Sequence, residues 1–217
     1  MVWKRLKAVE KCREESSKEA TRQYAKQMHR FMERRQPETE YILVPRHSSE
    51  NRDYIPMGFV SPDIICSDAN MLISEPSKWL FGILESRIHM AWMKYTCGRI
   101  KSDYRYSADV VYNNFPWMDL TNEQKAAIEE TADAILEARE LDNNSTLADM
   151  YDYLKGDLLE VHKTNDKLVA MIYGIDDNDE EKIVLELMRR SVDMAKKADR
   201  PKRKRKVRKT KKVKKIK

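Results

Sequence analysis

Hydrophobic positions change their spacing several times along the chain. From Lys4 to Arg35 no Gly or Pro intervenes, and Leu6, Val9, Ala20, Tyr24, Met28 and Phe31 recur near 3.6 residues. This predicts helix over about 4–35, breakable at Glu15-Ser16-Ser17 and closed by Pro37. From Tyr41 the apolar runs shorten. Residues 41–44, 54–60, 64–66 and 71–73 are strand-like and bounded by Pro, Gly, Asn or Asp, which predicts a small, mostly antiparallel sheet. Pro76 then marks a helix start, capped by Ser74 or Glu75, with Trp79, Ile83, Ser86, Ile88, Met90, Met93 and Cys97 inward and Gly98 at its end. Extended segments are expected at 102–107 and 110–115, the second closing at Pro116. Thr121 and Gln124 form a capping-box pattern ahead of a helix that runs to about Leu141, and 147–154, 158–173 and 183–195 read as further helices. The fold class expected is α+β: a helical connector over 1–37, a sheet backed by a helix over 38–118, an all-helical part over 119–199, and a tail over 200–217.

Charge sharpens this division. Residues 1–118 carry 19 Lys and Arg against 15 Asp and Glu, residues 119–199 carry 10 against 21, and residues 200–217 carry 13 against none. The overall +6 therefore reports the tail. With 13 cations in 18 residues and no periodicity, that tail is expected to be disordered alone and to attract nucleic acid by counterion release, or else to fold over the acidic helices beside it. Over the whole chain, 41% hydrophobic content suits a globular protein. No run approaches the roughly 18 apolar residues of a membrane span, and the first thirty residues hold no secretory core, so the expected compartment is cytoplasmic. Cys12, Cys66 and Cys97 are isolated, which argues against a disulfide framework or a zinc knuckle.

Catalytic signatures are missing from the pattern. The 5 glycines stand apart, so neither dinucleotide nor phosphate loop can be drawn. His29, His47, His89 and His162 have no metal-ligand spacing, and His89 falls on the apolar helix as a structural histidine. The many Asp and Glu of the second part read as solvated helix faces. No catalytic, cofactor-binding or metal site is expected in this chain.

Two polar clusters in the first part carry the chemistry. Arg46-His-Ser-Ser-Glu-Asn-Arg52 lies between apolar runs and offers hydroxyls, amides and guanidinium groups that suit a phosphate backbone, as they would suit any polar loop. Arg99 to Ser107 leads into a strand, where alternation places Lys101, Asp103 and Arg105 on one face and Tyr104 and Tyr106 on the other. A Lys beside an Asp matches a G·C pair, since Lys donates to guanine O6 and N7 and Asp accepts from cytosine N4. The same spacing also describes an ordinary intrastrand ion pair.

Four stretches of this chain resemble the C-terminal part of the MmeI-like family, the single-chain Type IIL restriction and adenine-methylating enzymes. They are Tyr41-Ile-Leu-Val-Pro-Arg-His-Ser-Ser-Glu-Asn-Arg-Asp-Tyr-Ile-Pro, Trp79-Leu-Phe-Gly-Ile-Leu-Glu-Ser-Arg-Ile-His-Met-Ala-Trp-Met, Cys97-Gly-Arg-Ile-Lys-Ser-Asp-Tyr-Arg-Tyr-Ser and Val111-Tyr-Asn-Asn-Phe-Pro-Trp. The resemblance implies that 38–118 is a DNA target recognition domain and 119–199 the helical C-terminal domain of such an enzyme. It further implies that Lys101 and Asp103 cooperate in choosing one base pair, with guanine expected on the methylated strand. Arg46, Ser48, Ser49, Arg52, Arg99, Ser102 and Arg105 are the expected further DNA contacts.

The chain departs from the family in lacking an S-adenosylmethionine loop and the Asp/Asn/Ser-Pro-Pro-aromatic motif that holds a flipped adenine. Asn114-Phe115-Pro116-Trp117 has only one proline. The expectation is a recognition module of an adenine-N6 DNA methyltransferase, inert by itself, as a split subunit or a gene remnant. Double-stranded DNA and a separate methyltransferase or nuclease chain are the expected partners, with S-adenosylmethionine bound in the missing core and no membrane involved. The rival reading is an acidic helical interaction module tethered to nucleic acid by its basic tail.

Overall fold

The structure is a computed structural model that describes residues 1–142, 144–176 and 178–198. The tail lies outside the described residues. The N-terminal helix expected over 4–35 is shorter and broken: α1 covers Val2–Glu14, α2 covers Glu19–Gln23, and a 3-10 turn covers Ala25–Gln27. Helix ends there because Arg13 folds back onto the chain. Its guanidinium donates to the carbonyls of Tyr24, Gln27 and Arg30 at 3.1, 2.9 and 2.7 Å, which gives these end carbonyls partners outside a helix.

Two three-stranded antiparallel sheets follow. In the first, β1 (Tyr41–Pro45) lies between β3 (Gly58–Val60) and β4 (Asn70–Ser74). In the second, β6 (Asp103–Arg105) lies between β2 (His47–Ser48) and β5 (Gly98–Ile100). Arg46 joins β1 to β2 and so carries the chain from one sheet into the other; its carbonyl accepts from Tyr106 N at 2.8 Å. Residues 64–66, expected as a strand, are instead irregular chain that follows a turn at 62–63. Gln36 and Tyr41 cap its carbonyls, and Ile64 and Ile65 stay exposed. The expected extended run 110–115 is also corrected: Ala108–Tyr112 is a π-helical turn. Ser107 caps it by accepting from Val110 N, and Asn114 donates to the carbonyls of Asp109 and Val110.

The helix expected from Pro76 to Cys97 is two helices, α3 (Lys78–Leu84) and α4 (Arg87–Thr96). Ser77, rather than Ser74 or Glu75, caps the first. The break falls at Glu85 and Ser86, where Ser86 caps α4 and Arg87 N donates to Asp166 at 2.6 Å. Thr121 and Gln124 make the capping box of α5 (Asn122–Glu140), followed by α6 (Leu147–Asp152), α7 (Gly156–Tyr173) and α8 (Glu180–Ala198). α5 packs on α3 and α7, and α4 on α8. Gly82 permits the first contact, because a Cβ there would lie 2.5 Å from the Ile128 side chain. One apolar core runs without interruption from Ile42 through Phe81, Trp92 and Ile135 to Leu187. Among the described residues no helix is long and apolar enough to cross a membrane.

Candidate nucleic-acid interface

β5 and β6 form a hairpin whose two-residue turn is Lys101-Ser102, closed by Ile100 opposite Asp103. Lys101 takes a φ of +56° while Ser102 does not, the sign pattern of a type II′ turn whose first residue is usually Gly. A lysine in this conformation carries strain of about 1 kcal/mol, as does Glu75 at a φ of +54° after β4. Asp103 and Arg105 are exposed beyond the turn, while Tyr104 and Tyr106 point inward at 5% and 2% exposure. The alternation expected of this strand is present, with Lys101 displaced from the strand into the turn.

The inward residues stiffen the hairpin. Arg99 stacks over Tyr104 at 4.3 Å and donates to Ser102 O at 2.7 Å, closing the turn from beneath. His89 on α4 is fully buried and shares a 2.9 Å hydrogen bond with Tyr106 Oη. Its structural role is as expected, and burial holds its ring well below the usual histidine range, at about 3.

The second cluster divides. Ser49 is half-buried and its Oγ accepts from Asn51 N at 3.3 Å. Ser48 is 4% exposed, opposite Tyr104 on the inner face. Arg46 donates to Asn70 O at 3.3 Å, and Arg52 is held by Asp152 of α6 at 2.7 Å. The structure therefore gathers Lys101, Ser102, Asp103 and Arg105 on one projecting hairpin. The loop after β2 meets them through Glu50, whose N–H donates to Asp103 Oδ1 at 3.2 Å and whose carbonyl accepts from Tyr104 Oη at 3.3 Å.

A buried polar network lies in the core between α3, α5, α6 and α7. Glu85, fully buried, pairs with Arg139 at 3.1 Å and accepts from Met57 N at 2.9 Å. Arg139 also donates to Met57 O at 2.7 Å and to Tyr151 Oη, which contacts His162 Nε2 at 2.6 Å. Burial raises Glu85 to about 7 against the lowering pull of Arg139, and it drops His162 to about 3. Asp166, on a helix expected to show solvated acids, is buried and accepts from Tyr54 at 2.5 Å. Sequence reasoning missed this network although a signal existed. Arg139 follows Ile128, Ala132 and Ile135 on the apolar face of α5, a position that a charge occupies only when paired.

His47 was also missed as a candidate: it is exposed and stands opposite Arg105 across β2 and β6. Among the described residues no group of three His, Cys, Asp or Glu is placed to hold a metal.

Comparison with known proteins completes the picture. Residues 1–119 match the family model of the MmeI target recognition domain, and residues 120–196 match that of the MmeI C-terminal domain. The chain belongs to the MmeI family. It is 37% identical over 175 residues to DNA methyltransferase A of Bacillus subtilis (strain 168), a match that covers 80% of this chain and 20% of that protein. It is also similar to the solved structure of the Type IIL restriction-modification enzyme MmeI in complex with DNA. The TM-score is 0.85 at 41% identity, over 90% of this chain and 26% of that one. The chain thus spans about a fifth to a quarter of the length of these two proteins.

Proposed function

We propose that this chain is the DNA-reading part of a Type IIL restriction-modification system, binding duplex DNA through the β5–β6 hairpin and delivering an adenine to a methyltransferase core. The observation that carries the proposal is the hairpin itself, a strained tip with Lys101, Asp103 and Arg105 outward on a buried aromatic base, in a chain of the MmeI family. A hairpin of this width enters a major groove, where Lys101 donates to guanine and Asp103 accepts from the paired cytosine. Arg105, Arg99, Ser49 and Ser102 lie on or beside the hairpin and suit phosphate and sugar contacts that fix its register.

Methyl transfer is assigned to a catalytic portion beyond these residues. The glycines do not fit the methyl donor: Gly82 is closed by Ile128, while Gly156 and Gly174 sit singly at the ends of α7. The base-pair assignment is tested by exchanging charges in the full chain, Lys101→Glu with Asp103→Arg, and selecting duplexes from a random pool. The expected result is that a fixed G·C inverts to C·G at one position. An unchanged motif would remove Lys101 and Asp103 from base reading.

A further inference from the structure

We propose that the C-terminal helices set the geometry of the reading hairpin through loop 49–54, with Arg52 and Asp152 as positioning residues for Asp103. This rests on the DNA-reading role proposed above. The loop is gripped on two sides. Toward the hairpin, Glu50 is held at both its N–H, by Asp103 Oδ1 at 3.2 Å, and its carbonyl, by Tyr104 Oη at 3.3 Å. Toward the helices, Arg52 Nε donates to Asp152 Oδ1 at 2.7 Å while its own N–H returns to Ser49 O at 3.3 Å, closing a turn that contains Glu50. Two residues on, Tyr54 donates to Asp166 of α7 and stacks on His162 with ring centroids 4.1 Å apart.

The backbone that carries Asp152 is anchored next to it, because Tyr151 is clasped by Arg139 and His162 inside the core. The path from Glu85 through Arg139, Tyr151, Asp152, Arg52 and Glu50 to Asp103 is continuous. Its consequence falls on one oxygen. Glu50 N–H occupies Asp103 Oδ1, which fixes the carboxylate and leaves Oδ2 to accept from a base. A base contact is directional, so loss of this hold loosens the choice of one base pair more than it weakens the grip on phosphate. Arg52, with a side chain only 15% exposed, acts here on Asp103 rather than on DNA.

The test uses the full chain and a random duplex pool. Asp103→Ala first identifies the position that Asp103 reads. Asp152→Asn is expected to lower the preference at that position about fivefold while leaving the other positions unchanged. Arg52→Met should give the same loss, and the double variant no more than either, since both single changes break one link. Preference retained in Asp152→Asn, a uniform loss at all positions that follows a lowered melting temperature, or additive losses in the double variant would each overturn the inference. If Asp103→Ala itself changes no position, the DNA-reading role fails first and the inference falls with it.

Discussion

At the scale of single residues, burial moves three titrations in opposing directions. His89 and His162 are held neutral with values near 3, below the unfolded value of 6.5, so each contributes stability present above pH 6.5 and lost as pH falls. Glu85 is raised to about 7 from 4.5, so it contributes stability present below pH 4.5 and lost as pH rises through 7. Between pH 6.5 and 5 both histidines lose stability while Glu85 alone gains it, so the losses lead. Urea unfolding should therefore show stability falling over that interval, and Glu85→Gln should steepen the fall; a rising curve in that variant would contradict the burial of both histidines. His89 was legible in the sequence because it sits among apolar helical positions. Arg139 and Asp166 were not, because their partners are distant in sequence and only folding brings them together.

Among the elements, the β5–β6 hairpin is the one proposed to read bases, and its turn carries the strain. Lys101→Gly should raise the unfolding free energy by about 0.5–1 kcal/mol, since glycine adopts a φ of +56° without a Cβ clash. The same change should abolish the base preference proposed for Lys101. Denaturation and duplex selection on one preparation check both outcomes; a relaxed turn with an undiminished preference would detach strain from function. The strand of this hairpin was legible from alternation, and its turn was not, because Lys101-Ser102 lacks the Gly, Asn or Asp that normally announces one. The split between α3 and α4 was hidden for a related reason. Apolar spacing continues through Glu85 and Ser86, and the interruption comes from the buried Arg139 and from Asp166 across the core. The π-helical turn at Ala108–Tyr112 reads as a strand locally because its β-branched Val110 and Val111 favour one, and side-chain caps from Ser107 and Asn114 override that preference.

For the whole molecule, sequence conveyed the order of parts and the α+β class, while the continuity of the core from β1 to α8 emerged only in three dimensions. That continuity joins an acidic helical segment, net −11 over residues 119–199, to the sheets that carry the hairpin proposed to face DNA. The +13 of residues 200–217 suits either nucleic acid or the acidic helices beside it, and salt weakens both attractions. The measurement that bears most directly on the central claim is selection of duplexes from a random pool by the full chain, at about 300 mM salt to subdue the tail's attraction. The account predicts an enriched motif containing one invariant G·C pair. A pool recovered without enrichment would contradict the claim that this chain reads DNA sequence.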